Sequence, residues 1–247
     1  MKINKGNYEN FLSYLEAVTH ICTNIEIVGG KLRQFAEGKL AIIDADLNKI
    51  FPEPIDLRLV MLKTKLPLLS IFTKTDTTDI GLELVDNNMK IFDDYSHINI
   101  RQASKEFISH GFIDDASMAN KVNIDFEKDS IASMTLPQIL VKRIDSIATW
   151  FQAMYLCVNV KNGKASFDLT SYSKTDNSSV VKNIPINSKE DIQFMFSVYP
   201  LQTKFDGDIE INLASRLVNE KRNVILKVVG SVKDIPTTYY IKGTVIK

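Results

Sequence analysis

One nine-residue pattern occurs twice in this chain, and the distance between its copies constrains what the chain can fold into. Ser/Thr-x-x-Pro-Leu-x-x-x-Phe is read from Thr64 to Phe72 and again from Ser197 to Phe205, every matched position displaced by 133 residues. The same displacement carries Ile25, Ile27, Gly30 and Lys31 onto Val158, Val160, Gly163 and Lys164, and lays a helical stretch at 7–19 over one at 140–152. So long a period in 247 residues implies two tandem copies of one fold unit. Farther on, Leu82-Glu83-Leu84-Val85 matches Leu226-Lys227-Val228-Val229 at a displacement of 144, which predicts a longer loop within 206–223 of the second copy.

Each copy shows the same order of elements. An amphipathic helix opens it, with Tyr8, Phe11, Leu12, Leu15 and Val18 on one stripe and Leu140, Ile144, Ile147 and Phe151 on the other. Strands of two-residue alternation follow, turned by Gly29-Gly30 and by Asn162-Gly163, the second a strong hairpin signal. A short helix comes next, with Thr64 and Ser197 as expected N-caps and Pro67 and Pro200 in its first turn, where a missing N–H is tolerated. Closing strands are expected at 80–86, 89–92 and 97–102, and at 223–230 and 237–246. Two helices against many antiparallel strands make each copy an α+β layer. The expected division is an N-terminal domain over 1–106, a connector over 107–121 and a C-terminal domain over 122–247, since the stretch around 105–122 has no clear period.

Charge narrows the function. Thirty basic residues balance thirty acidic ones, so bulk attraction for nucleic acid is excluded, and any such role rests on local placement or on topology. No apolar run approaches the ~20 residues that span a bilayer. No apolar signal segment follows Met1–Asn7, so the expected location is a reducing cytoplasm. Cys22 and Cys157, far apart and among apolar neighbours, read as buried hydrophobes, not as a disulfide or metal pair.

Two tandem α+β halves of this kind resemble the DNA sliding clamps, most closely the polymerase processivity factors of T4-type bacteriophages. The likeness is carried by the opening helix, the hairpin Asn24–Lys31, the stretch Asp56–Val60 with the helix running to Phe72, and the second hairpin Val158–Lys164. It covers nearly the whole chain as element order and apolar pattern, for clamps have no signature motif. The resemblance implies a homotrimer closed head to tail into a ring, sheets outside and helices lining a hole that holds duplex DNA. It further implies DNA polymerase and an ATP-dependent clamp loader as partners, no cofactor and no metal. If the chain is phage-encoded, its place is the host cytoplasm.

A sliding ring attracts phosphates without gripping bases, so the inner helices call for Lys and Arg. The candidates are Lys5, Lys63, Lys65 and Lys74 in the first half, and Lys142, Arg143 and Lys204 in the second; the alternative for each is an ordinary solvated helix face. The first helix departs from this pattern by carrying Glu9 and Glu16. Clamps also dock short peptides in an apolar pocket beside the connector. The candidates there are Phe107, Ile108, Phe112 and Ile113, with Tyr239, Tyr240 and Ile241 near the C-terminus.

Signs of catalysis are missing from the sequence. His20, His97 and His110 have no metal-ligand spacing, and no phosphate loop or nucleophile elbow occurs. Asp44 with Asp46, Asp93-Asp94 and Asp114-Asp115 are the acid pairs that could hold Mg²⁺, yet they read as turn residues. The expectation is a non-enzymatic tether. The competing readings are a β-rich phage structural or assembly protein and, behind it, a metal-dependent nuclease.

Overall fold

Both opening helices form, and they start 133 residues apart. In the computed structural model, which describes residues 1–108, 111–170, 177–186, 191–218 and 220–246, α1 spans Lys5–Val18 and α4 spans Gln138–Trp150. The chain divides into two units. The first holds Met1–Glu37, Ile43–Ile113 and Val232–Thr237; the second holds Gly38–Ile42, Asp114–Ser231 and Thr238–Lys247.

In the first unit α1 follows β1 (Lys2–Asn4) and precedes β2 (Ile25–Val28), β3 (Lys31–Phe35), β4 (Ala41–Asp46) and β5 (Leu57–Leu59). Then come α2 (Leu62–Leu69), a 3-10 continuation over Ser70–Lys74, β6 (Asp79–Val85), β7 (Asn88–Phe92) and β8 (His97–Arg101). The strands run in two orders, β1-β6-β7-β8 and β4-β3-β2-β5. Asn4 caps α1 by accepting the Asn7 N–H at 2.8 Å. Tyr8, Phe11, Leu15 and Val18 are buried beneath the helix, Phe11 meeting Phe51 edge-on at 5.0 Å. The buried Tyr8 hydroxyl donates to the Leu69 carbonyl at 2.9 Å, which ties α1 to α2.

The second unit holds α3 (Asp115–Val122), β9 (Ser130–Leu136), α4, β10 (Tyr155–Lys161), β11 (Lys164–Thr170), β12 (Asn177–Pro185) and β13 (Ile192–Ser197). A 3-10 turn over Tyr199–Gln202, β14 (Ile209–Val218), β15 (Lys221–Val232) and β16 (Ile235–Val245) complete it. Its strands run β12-β11-β10-β13-β16, with β15 beside β16 and then β14 and β9.

The repeat is visible in the hydrogen-bond register. Val28 faces Lys31 across the first hairpin and Lys161 faces Lys164 across the second, each pair shifted by 133. Both turns use two residues of positive φ, 57° and 75° at Gly29-Gly30 and 51° and 68° at Asn162-Gly163, the backbone a twisted two-residue hairpin demands. The displacement of 144 farther on does not hold. The segment expected as a loop at 206–223 contains β14, and Val218 faces Lys221 as Val85 faces Asn88, again shifted by 133. Leu82–Val85 therefore correspond to β14, not to Leu226–Val229.

Four local expectations also change. Met61, in the left-handed region at φ 55° with its N–H held by Asn24 Oδ1 at 3.0 Å, precedes α2, so Thr64 is not its N-cap and Pro67 falls inside the helix. Ser197 ends β13, and Val198 precedes the 3-10 turn whose start holds Pro200. The stretch 105–122 is not featureless: it holds a 3-10 turn over Lys105–Phe107 and α3, capped by Asp114 accepting the Ser117 N–H at 2.6 Å. The buried stripe of α4 is rotated from the expected one. Val141, Ile144 and Ala148 face inward, Leu140 and Ile147 are half-buried, and Phe151 is exposed. Small Ala148 lets the helix sit close, which turns the bulkier residues outward.

Gly243 in β16 lies opposite Phe196 in β13, and a Cβ there would come within 2.3 Å of the ring. Phe196 is fully buried and has nowhere to swing, so Gly243→Ala is expected to destabilise by about 1–3 kcal/mol. Gly81 faces Phe92 in the same way, but Phe92 is half-buried and can yield, so Gly81→Ala is expected to cost clearly less. Paired denaturant titrations check the order.

Candidate nucleic-acid interface

The seven basic candidates separate by what their charged ends touch. Lys5 Nζ donates to the Thr75 carbonyl at 2.6 Å and Lys65 Nζ to the Arg101 carbonyl at 3.3 Å; both side chains are half-buried. Partial burial also lowers the Lys65 pKa. Each of these two ammonium groups has one donor held by a backbone carbonyl. Lys63 and Lys74 are exposed in the first unit, and Lys142, Arg143 and Lys204 in the second.

The helix layer of the first unit carries a cavity of about 740 Å³ between α1 and α2, lined by Glu9, Ser13, Glu16, Lys63, Pro67 and Thr73 among others. Glu9 and Glu16, exposed on α1, give this face a negative side. The α4 face of the second unit is different: Lys142 and Arg143 stand exposed next to each other, with Asp145 half-buried farther along the helix. Ser146 Oγ is turned back onto the Lys142 carbonyl at 2.8 Å.

The apolar candidates also divide. In the first unit Ile108 and Ile113 are core residues, Phe112 is half-buried, and Phe107 is 73% exposed. Phe107 borders a cavity of about 600 Å³ with Val60, Met61, Arg101 and Ala103. In the second unit Tyr239 and Ile241 are fully buried, Tyr239 sharing a 2.9 Å hydrogen bond with Thr203. Tyr240 is half-buried, with Lys227 Nζ 5.9 Å from its ring. Of the seven, only Phe107, Phe112 and Tyr240 offer surface to a ligand.

The segment before Asp114 is fastened from beneath. Glu26, 4% exposed, accepts the Phe112 N–H at 2.8 Å through Oε2, and its Oε1 lies 3.7 Å from Arg58 Nε. The Glu26 N–H donates to Gln34 Oε1 at 2.9 Å. A buried acid inside an alternating strand was the available signal for this anchor.

At least one member of each acid pair is already engaged within the protein. Asp44 pairs with Arg33 at 3.0 Å, and Asp46 accepts the Asn48 N–H at 3.0 Å. Asp93 accepts from the Tyr95 and Ser96 N–H groups, and the Tyr95 bond above all holds its pKa low. At Asp114 the Ser117 N–H does the same. Among the described residues no three His, Cys, Asp or Glu gather as metal ligands. His97 is exposed on β8, and His110 lies outside the described residues. Cys22 and Cys157 are buried thiols in different units, without a disulfide. Among the described residues no helix is long and apolar enough to cross a membrane.

Of three exposed apolar side chains at the ends of α4, the sequence signals neither Trp150 nor Ile139 and puts Phe151 on the inward stripe. Trp150 is 87% exposed, Ile139 75% and Phe151 57%, all at the two ends of α4.

No protein-family model and no curated protein matches the chain. Solved structures do. The chain is similar to one in the PCNA2–PCNA3 complex of Sulfolobus tokodaii, with a TM-score of 0.65 and 14% identity over 98% of each chain. It is similar to the proliferating cellular nuclear antigen of Entamoeba histolytica, TM-score 0.66 and 11% identity over 98% of this chain and 97% of that one. PCNA from Thermococcus kodakaraensis aligns with a TM-score of 0.65 and 11% identity over 98% and 99%. The fold is the sheet-rich α+β fold of these proteins, with two clamp-type domains and, among the described residues, four α-helices.

Proposed function

We propose that this chain is the subunit of a DNA sliding clamp, three copies closing head to tail around duplex DNA and holding a replicative polymerase there without chemistry of their own. The observation that carries the reading is the duplicated α+β unit in a fold similar end to end to PCNA. A topological grip needs no net charge, which agrees with thirty basic residues balancing thirty acidic ones. The gain for the polymerase is effective concentration at the template, not a new bond-making step.

Head-to-tail closure needs two different adhesive surfaces on one chain. β8 ends its sheet in the first unit and β12 ends its sheet in the second, so each offers backbone groups a neighbour can pair. Beside β12 packs α4, with Trp150 and Phe151 uncovered. Partner peptides of the polymerase and of an ATP-dependent loader are proposed to anchor where Phe107, Val60 and Met61 border the 600 Å³ cavity. The T4-type phage clamps remain the subtype we favour, with the host cytoplasm as location.

The first test is mass in solution: about three times 27.9 kDa is expected, and a monomer at high concentration rejects the ring. The second is retention on a circular plasmid after loading with a clamp loader and ATP. The protein is expected to stay on the circle and to run off once the plasmid is cut; equal retention on both rejects the topological grip.

A further inference from the structure

The repeat aligns the two opening helices residue by residue, and their exposed faces differ in sign at one position. Under the shift of 133 the buried positions Tyr8, Phe11 and Leu15 fall on Val141, Ile144 and Ala148, all buried as well. The outward positions can therefore be compared directly. Ser13 falls on Ser146, Glu16 on Thr149, and Asn10 on Arg143. Glu9 falls on Lys142, and both are exposed.

Resting on the clamp reading, we infer that duplex contact is one-sided: the α4 face, through Lys142 and Arg143, carries the phosphate contacts, while Glu9 and Glu16 hold the α1 face away from the backbone. A phosphate arriving at α4 meets two adjacent cations on a helix whose one acid, Asp145, is half-buried. One arriving at α1 meets two exposed carboxylates that share a groove with Lys63 and offset its charge. Lys5 and Lys65 add less to the outward charge of this unit, since each is half-buried with its ammonium drawn onto a backbone carbonyl. A sliding ring gains from such an arrangement: a few loose, salt-sensitive contacts keep the duplex located without arresting movement along it. Each contact is made and broken within about a Debye length of the surface, ~8 Å at physiological salt.

The test uses a short fluorescein-labelled linear duplex, which can thread a closed ring from its ends, with fluorescence anisotropy followed over a series of salt concentrations. Lys142→Ala with Arg143→Ala is expected to weaken binding roughly tenfold and to flatten the plot of log affinity against log salt by about 0.9 for each phosphate no longer neutralised. Glu9→Lys, which gives α1 the charge of α4, is expected to tighten binding roughly threefold or more and to steepen the same plot. Lys63→Ala and Lys74→Ala are expected to stay within about twofold of the parent. All five positions are solvent-exposed, so none of the substitutions disturbs the core. An assembled parent protein that shows no salt-dependent binding at any ionic strength overturns the clamp reading itself. A parent that binds while Lys63→Ala costs as much as the paired Lys142→Ala and Arg143→Ala, or while Glu9→Lys leaves the isotherm unchanged, overturns the one-sided contact alone.

Discussion

If the proposed three-chain ring forms, replacing both Trp150 and Phe151 by serine is expected to leave a monomer under conditions where the parent elutes as three chains. Trp150 is the one tryptophan of the sequence, and with Phe151 it projects from the C-terminal end of α4 at 87% and 57% exposure. Two aromatic groups left in water at the end of a helix that packs on the end strand of its sheet are the chemistry of an interface centre, where single truncations cost about 2 kcal/mol or more. Losing both is expected to weaken association by about 4 kcal/mol, roughly a thousandfold. The helix itself loses little, because its inward stripe is Val141, Ile144 and Ala148, and an unchanged far-ultraviolet circular dichroism spectrum checks this. A head-to-tail contact makes a further demand. The variant keeps the opposite surface intact, so in excess over parent protein it should accept one parent chain and stop there as a two-chain species. A double variant that still weighs three chains by light scattering removes α4 from the interface.

The second large effect is expected in the first unit, at Glu26. Its carboxylate links β2 to Arg58 and to the backbone N–H of Phe112, the next-to-last residue of the unit's main segment. Glu26→Ala removes the charge-assisted acceptor and leaves the Phe112 N–H without it, at a cost of about 3 kcal/mol. Glu26→Gln keeps an oxygen in place and is expected to cost about 1 kcal/mol. Denaturant unfolding reads the two costs, and amide hydrogen exchange at Phe112 reads the release of the segment: fast in the alanine variant, slow in the parent. Equal exchange in both means that the Ile113 N–H bond to the Arg33 carbonyl, 2.8 Å, suffices to hold it.

The sequence speaks most clearly where a residue type is tied to a backbone shape. Gly29-Gly30 and Asn162-Gly163 announce two-residue turns because few other residues adopt positive φ at two successive positions, and both turns are there. The helices are legible from several large apolar residues on one stripe. β14 is not, because any alternating apolar run resembles any other, and Leu82–Val85 match β15 as well as they match their true counterpart. What decides is the tight turn into β15, where Glu220 takes φ 63° with no residue type to signal it. α3 hides for another reason: it buries Val122 and little else, so it has no stripe to detect, and Asp114 as a cap was its one signal. At the candidate interface the basic residues could be named, but not which ammonium groups were drawn onto backbone carbonyls. That depends on pairings such as Lys5 with Thr75, 70 positions apart.

The matched registers of β6–β7 and β14–β15 make the turns of these hairpins interchangeable, although β14 and β15 run longer than β6 and β7. Because both close with two residues between the last facing pair, exchanging the turns with their flanking pairs leaves every strand partner downstream on its own side of the pleat. Recombination between the two halves of the gene at these points would preserve reading of the fold as well as of the codons, so shuffled progeny differ in surface character while inheriting a common skeleton.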